Sequence, residues 1–594
     1  MLTAEGYRSY EWYANDTGSR VGVRYQWAGF DSPATFQAGL TGNATGGVDC
    51  SGFVSRVWEL SYKRNTTQLR DDTSLTTGIN KDLSMQSGDI FVNDSHTALL
   101  YKFENGRPWI YESNYIAGEV DGVRLFYDST GTWFWNVPSY VARRYTNITD
   151  DFNVYLPYLK TANGWTSSIR VFNLENYASA DGTIEFYTAD NGWPVASTGA
   201  SVGVYQTFTY NAGSYVYADN AAAILRFNHA VAVSAEVVHS AAPYESVAYN
   251  GQVAGADEVG LPVTMKNYYG WTTDFDVQNI GRQDAAVTVT YRQTGGGTVT
   301  SETWTIPPNG FHNFNQADNG NLPNGFLGSA VVSAGNGATD RELVVSVRQR
   351  SPGQSSSLSY NGVNTKLART AARVPSIVKN YYGWTNSLNI QNLGSRPTNA
   401  TASFYREGDP TVYQVTAGIQ PGSQAMIYNS GAMPDGYVGS VVVRDDGYQP
   451  LGVVVNQTIG GGPTAQSYQS ESIGGRWLWV SDLKNISGSL ANAFTIQNLD
   501  DSAGTWVNIW FYQSDGSYFY SLSQWIDPCK AHLFYLPNIF GSTYFDGSAI
   551  VTSSNSAGVR LDALSSLNTL WATGDTTKAY AIGPLVVDDI EPRY

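Results

Sequence analysis

From residue 151 to residue 594, apolar and polar side chains alternate with a period of two. "AAVTVTYRQ" (285–293), "ELVVSVRQR" (342–350) and "PLGVVVNQT" (450–458) are β-branched runs bounded by Gly, Pro, Asn and Asp. Alternation of this kind turns one face of a strand toward a core and the other toward water, so the pattern predicts many short strands. No helical period interrupts it.

The same pattern is written four times. "NGWTSSIRVFNL" (163–174), "YGWTTDFDVQNI" (269–280) and "YGWTNSLNIQNL" (382–393) are close copies, and "ISGSLANAFTIQNL" (486–499) keeps only the end of the motif. Asn173, Asn279, Asn392 and Asn498 fall 106, 113 and 106 residues apart. A second marker recurs in "LPNGFLGSAVV" (322–332), "MPDGYVGSVVV" (433–443) and "YFDGSAIV" (544–551). Its glycine (Gly328, Gly439, Gly547) follows the repeat asparagine by 49, 47 and 49 residues. Repeats of this size, made of short strands, predict antiparallel, Ig-like β-sandwiches. The expected division is 151–255, 256–368, 369–473 and 474–594. The connections ("GADEVGLP", "ARTAARVP", "ESIGGR") are short, which predicts neighbours that touch in a row, as a semi-rigid rod.

Residues 1–150 carry no repeat marker and a mixed pattern. "CSGFVSRVWEL" (50–60) sets Phe53, Val54, Val57, Trp58 and Leu60 on one helical face. Beyond residue 88, "GDIFV", "HTALLYKF", "PWIYES" and "GVRLFYD" read as successive strands. One helix followed by a meander predicts an α+β domain over 1–150. Cys50 stands where the helix begins, after a glycine-rich approach. A helix N-terminus offers partial positive charge and free N–H groups, which favour a thiolate and a developing oxyanion. A nucleophilic thiol needs a base and a group to orient it. Of five histidines, only His96 lies in this region, at the head of a strand. Glu112, sixteen residues on, falls where a hairpin can set a carboxylate beside the imidazole, and Asn114 is the alternative orienter.

Tyr25 and Trp27 in "RYQWAGF", then "DCSGFVSRVW", "SGDIFV", "SHTALLY" and "IYES", resemble in order the NlpC-like cysteine peptidases. These are papain-like bacterial enzymes acting on cell-wall stem peptides. The resemblance spans about residues 20–115. It implies Cys50 as nucleophile, His96 as general base and Glu112 in the place of the third polar residue, more often a histidine. It also implies Tyr25 near the thiol and Asp49 and Ser51 as the flanking pair. Ala28 stands where the family has glycine, and an insertion over 31–47 would wall or close the groove.

Composition narrows the function classes. Net charge is −16 with only 14% charged residues, which excludes a basic nucleic-acid platform. No apolar run is long enough to span a bilayer. Cys50 and Cys529 are the two cysteines, and no metal or cofactor motif accompanies them. Cys529, with His532 three residues on, reads as structural. The aromatics of "NYYGW" (Tyr268, Tyr269, Trp271; Tyr381, Tyr382, Trp384) read as core or inter-module contacts, with a sugar-stacking platform as the alternative. The abundance of Gly, Ser, Thr, Asn and Tyr fits an extracellular or cell-surface protein, although no signal peptide is visible in this numbering. Two functions are expected. One is a secreted cysteine peptidase acting on peptidoglycan peptides or another surface polymer. The other is a structural subunit of a surface layer, sheath or filament, assembling as a homo-oligomer through sandwich edges or through the stretch "AYAIGPLVVDDIEPRY" (579–594).

Overall fold

The computed structural model describes residues 11–14, 18–21, 23–30, 47–146 and 152–582, apart from 59, 61, 84, 86–87, 105, 117–119, 176–177, 240–244, 336–341, 352–355, 429–430, 460–464, 471–473, 476, 487–489, 554–560 and 570–576. It separates into two units, Met1–Asp150 and Asp151–Tyr594.

The first unit contains a hairpin of β1 (Glu11–Ala14) and β2 (Gly18–Val21), then α1 (Cys50–Val57) and α2 (Thr66–Asp71). The strands β3 (Thr76–Ile79), β4 (Ile90–Val92), β5 (Thr97–Glu104), β6 (Arg107–Ile116), β7 (Val120–Tyr127) and β8 (Val141–Tyr145) follow. They form one antiparallel sheet in the order β3-β8-β4-β5-β6-β7. Asp49 caps α1 by accepting from the Gly52 amide, and Asn65 and Gln68 close a capping box on α2. Phe53, Val54 and Trp58 pack with Val23, Leu99 and Tyr111 in the core. The apolar face written through Leu60 predicts a longer helix than forms. The helix stops at Val57, and the Trp58 indole beyond it donates to the Gly88 carbonyl (3.0 Å).

This corrects the expected fold class. The chain is almost entirely antiparallel β, and no α+β papain-like domain is evident. The two helices of the first unit have 8 and 6 residues and lie beside a six-stranded sheet. Helical periodicity over eleven residues was too short to show that the sheet dominates.

In the second unit each repeat is a sandwich. Over 152–250, the strands Thr207–Asn211, Trp165–Asn173, Val231–His239 and Glu245–Asn250 form one sheet. Ala196–Val202, Ala180–Thr188, Ala221–Phe227 and Phe152–Leu159 form the other, and both close over one core. The next two repeats copy this arrangement. In the fourth the two sheets are continuous, because Trp477–Ile486 and Leu490–Asn498 pair with each other.

The recurring residues have a common physical reason. The Nδ2 group of each repeat asparagine donates to two backbone carbonyls: Ala178 and Val202, Gln283 and Ile306, Arg396 and Ile419, Ala503 and Ile526. Its Oδ1 accepts the amide two residues on. All four asparagines are fully buried, so each ties otherwise unpaired backbone groups together. Asn279→Ala leaves three such groups unpaired and is expected to cost about 2–3 kcal/mol, seen as a lower urea midpoint. The marker glycines are dictated by space: a Cβ on Gly328, Gly439 or Gly547 would sit 2.0, 2.1 or 2.0 Å from a neighbouring carbonyl oxygen. A third marker, a tyrosine near the last strand's end, went unread. Tyr249, Tyr360 and Tyr468 donate to the carbonyls of Tyr158, Val263 and Ser376, each inside a β-bulge of the first strand.

The four sandwiches do not form a row. Their last strands, Glu245–Asn250, Ser356–Asn361, Ala465–Gln469 and Thr577–Ile582, lie side by side, with the fourth also against the first. The interfaces repeat. Ser329 donates to the Gly422 carbonyl (2.8 Å), Ser440 to the Cys529 carbonyl (2.8 Å), and Ser548 shares a hydrogen bond with Thr207 (2.7 Å). The remaining junction combines an apolar contact, Phe311 packing on Tyr187, Ala222 and Ile224, with polar ones: Trp304 and His312 both reach Asp190 (2.8 Å), and Ser357 and Ser359 donate to the Ser246 and Ala248 carbonyls. Arg170 of the first repeat pairs with Asp482 (3.1 Å) and Asp546 (2.7 Å) of the fourth, so the ring closes. The expected rod is therefore corrected to a ring. The expected strand donor, 579–594, is engaged within the chain as far as residue 582, where Thr577–Ile582 pairs with Leu561–Thr569. Residues 583–594 lie outside the described ones.

Candidate active site

The first turn of α1, the head of β5 and the middle of β6 bring Cys50, His96 and Glu112 together. Cys50 is the first helical residue and is 7% exposed. Asn93 aims His96: its side-chain oxygen accepts the His96 amide (2.8 Å), and its own amide donates to the His96 carbonyl (3.0 Å). His96 Nε2 lies 2.8 Å from Glu112 Oε2, and the Cys50 thiol is near enough to act on the imidazole's charge.

Electrostatics follow the geometry. Burial disfavours the imidazolium, but Cys50 and Glu112 outweigh it and raise the His96 pKa to about 9. Glu112 is fully buried; burial pushes its pKa up, yet His96 and Arg124 prevail and hold it below the usual value. Arg124 Nε reaches Glu112 Oε1 at 2.8 Å, and Asn114 Nδ2 reaches Oε2 at 3.3 Å. Asn114 therefore steadies the carboxylate and does not orient the ring itself. Burial, then Glu112 and Cys50, raises the Tyr140 hydroxyl to about 12, and the Phe134 ring lies 5.8 Å from His96.

The flanking residues do local structural work. Asp49 accepts the Gly52 amide (2.7 Å), the Ser51 hydroxyl (3.1 Å) and the Ala28 amide (2.9 Å), and pairs with Lys63. Ser51 thereby has its hydroxyl turned to the cap. Ala28 has φ 62°, in the left-handed region where glycine is favoured. The Tyr25 hydroxyl pKa is raised by burial and then by Cys50 and Asp49, which places it in the field of the thiol. The insertion over 31–47 lies outside the described residues except for Gly47.

Arg124, Asn93 and Tyr140 were missed by sequence reasoning. Arg124 had a signal: it stands directly opposite Glu112 in the β6–β7 hairpin. Among the described residues, no three His, Cys, Asp or Glu side chains cluster as metal ligands, and no helix is long and apolar enough to cross a membrane. Cys529 is different. It sits at φ 61° in a turn, its Sγ 3.2 Å from Asp501 Oδ1, and burial followed by Asp501 pushes its thiol up to about 11.

The raised His96 pKa has a stability consequence. The folded state keeps a proton that an unfolded histidine releases near pH 6.5. That contribution is complete below about pH 6.5 and is lost as pH rises through about 9. Thermal midpoints measured from pH 6 to 10 should show the first unit weakening over this window, and His96→Gln should flatten the dependence.

No family model matches the chain, and no curated protein matches it. Among solved structures it is similar to a tetra-tandem repeat in the extending region of a large adhesion protein, with 12% identity over 69% of this chain and 91% of that one. The TM-score is 0.11, and at that value the likeness bears on neither shape nor role.

Proposed function

We propose that the chain is a structural, repeat-built protein of an extracellular or cell surface whose N-terminal unit carries a thiol nucleophile. The closed ring supports the structural part: about three quarters of the chain goes into four repeats, each joined to its neighbours by side-chain contacts. In this reading 151–255, 256–368, 369–473 and 474–594 are the four modules, and copies associate through surfaces outside the ring contacts. Sedimentation velocity across a concentration series tests it. Association to discrete oligomers or filaments is expected, and a monomer at every concentration would refute assembly.

A specific observation favours a second, compatible reading, that the first unit hydrolyses amide bonds of cell-wall peptides: the Cys50–His96–Glu112 arrangement, in which His96 stays partly exposed. The NlpC-like motif order supports the same substrate class. His96 takes the Cys50 proton, and the thiolate sulfur attacks the amide carbonyl carbon. The imidazolium then protonates the departing amine, leaving a thioester. Water, losing a proton to His96, attacks that thioester and releases the carboxylic acid and the thiol. Glu112, held by Arg124, keeps the imidazole oriented. Digestion of purified peptidoglycan by the whole chain and by Cys50→Ala, with released fragments read by mass spectrometry, tests this step. Cleavage by the first alone supports it, and cleavage by neither removes it.

A further inference from the structure

We propose that two repeated tyrosine turns on the ring, Tyr268–Trp271 and Tyr381–Trp384, bind a neutral polysaccharide by stacking its sugar rings on Tyr269 and Tyr382. In each turn the first residue and the tryptophan bridge, with Trp271 and Trp384 donating to the Tyr268 and Tyr381 carbonyls at 2.9 Å. The two central residues both have positive φ: 48° and 83° at Tyr269-Gly270, 47° and 82° at Tyr382-Gly383. Such a turn prefers Asn-Gly, because asparagine tolerates the left-handed region and a bulky ring does not. The first repeat has that pair, Asn163-Gly164, at the same place and with the same backbone (53°, 87°).

Two repeats thus replace the favoured asparagine by a strained tyrosine whose ring stays largely in solvent, meeting the preceding tyrosine at its edge. Tyr269 is 84% exposed and Tyr382 85% exposed, whereas Tyr268 and Trp271 pack on the core. The core role expected for these aromatics therefore holds for Tyr268 and Trp271 and fails for Tyr269 and Tyr382, and Tyr381 is itself 37% exposed. Strain kept at an exposed position points to a contact outside the chain.

The surroundings select the occupant. Each exposed ring meets its neighbour edge-on, Tyr268–Tyr269 at 4.8 Å and Tyr381–Tyr382 at 4.6 Å, forming a right-angled aromatic corner. The loop of the second repeat marker lies beside it: the Gly325 and Gly436 amides donate to the Lys266 and Lys379 carbonyls, and Asn380 donates to Asp435 (2.8 Å). An open aromatic face with amide and carboxylate groups at its rim suits the C–H face and hydroxyls of a sugar. A net charge of −16 disfavours a polyanion. Equivalent places in adjacent repeats of one ring put both corners on the same rim, so a polymer can engage both at once.

The test uses the whole chain and Tyr269→Asn/Tyr382→Asn, which installs the residue of the first repeat. Affinity electrophoresis in gels containing hydroxyethylcellulose, dextran or galactomannan reads binding, and thermal melting reads the fold. Retardation of the whole chain by at least one polymer is expected, with at least a tenfold weaker interaction in the double variant, a partial loss in each single variant, and a melting point unchanged or raised. Equal retardation of both proteins, or none by any of the three polymers, overturns the proposal. A lowered melting point overturns it too, by showing that the tyrosines serve the fold. So does a double variant that loses only self-association, which would make the turns protein contacts.

Discussion

Arg348→Met is expected to destabilise the second unit by about 3–5 kcal/mol. Arg348 is 1% exposed and lies between two buried carboxylates. Its Nε donates to Asp274 Oδ2 at 2.9 Å, its terminal nitrogens pair with Asp274 and Asp276, and its guanidinium lies 3.4 Å from the Tyr158 ring centroid. The arginine thus joins the core of the second repeat to the first strand of the first. Removing it leaves Asp274 with Arg350 (3.2 Å) and leaves Asp276 with the neutral Asn313 (3.1 Å). Asp276 is fully buried and burial already raises its pKa; without Arg348 it rises further. A carboxyl raised in the folded state loses stability as pH increases through its pKa, so the variant's deficit should be smaller near pH 4.5 than near pH 7.5. Adding Asp276→Asn should restore part of the loss at pH 7.5. Denaturation at the two pH values checks both statements, and an equal deficit at both would show that packing, not charge, is what Arg348 supplies.

His96→Ala is expected to slow alkylation of Cys50 by iodoacetamide about 10- to 30-fold near pH 7, since a thiol with no partner base is only a few per cent thiolate there. In the intact chain Cys50 should react well before Cys529, whose thiol is pushed up to about 11 and is 4% exposed. Glu112→Gln should fall between, because it keeps a hydrogen bond to the ring and removes the charge that favours the imidazolium. Peptide mapping of the modified chain reads each cysteine separately. If Cys50 reacts no faster than Cys529, or if His96→Ala leaves its rate unchanged, the thiol is not activated and the hydrolase reading falls. The ring and its structural reading are untouched by that result.

The two experiments probe different kinds of information. The order Cys50, His96, Glu112 was legible because local pattern marks a capped helix start at Cys50, a strand head at His96 and the next strand, which carries Glu112. Arg124, which holds Glu112, was legible only through hairpin register. The helix itself was overread. An apolar face reaching Leu60 says nothing about a Trp58 indole bonded to Gly88, thirty residues away.

For the second unit, sequence alone determined the number of repeats, their strand character and their invariant points. Period-two alternation reports burial along one strand, and Asn279 or Gly328 recurs because its partners are backbone groups that every copy possesses. Only the tertiary structure decided that the copies form a ring, that the fourth merges its sheets and that Tyr269 and Tyr382 face outward. The ring rests on contacts such as Ser440 with Cys529 and Arg170 with Asp546. The partners stand far apart in the chain and leave no periodicity in it, and the angle they fix between neighbours is a property of the packed interface alone.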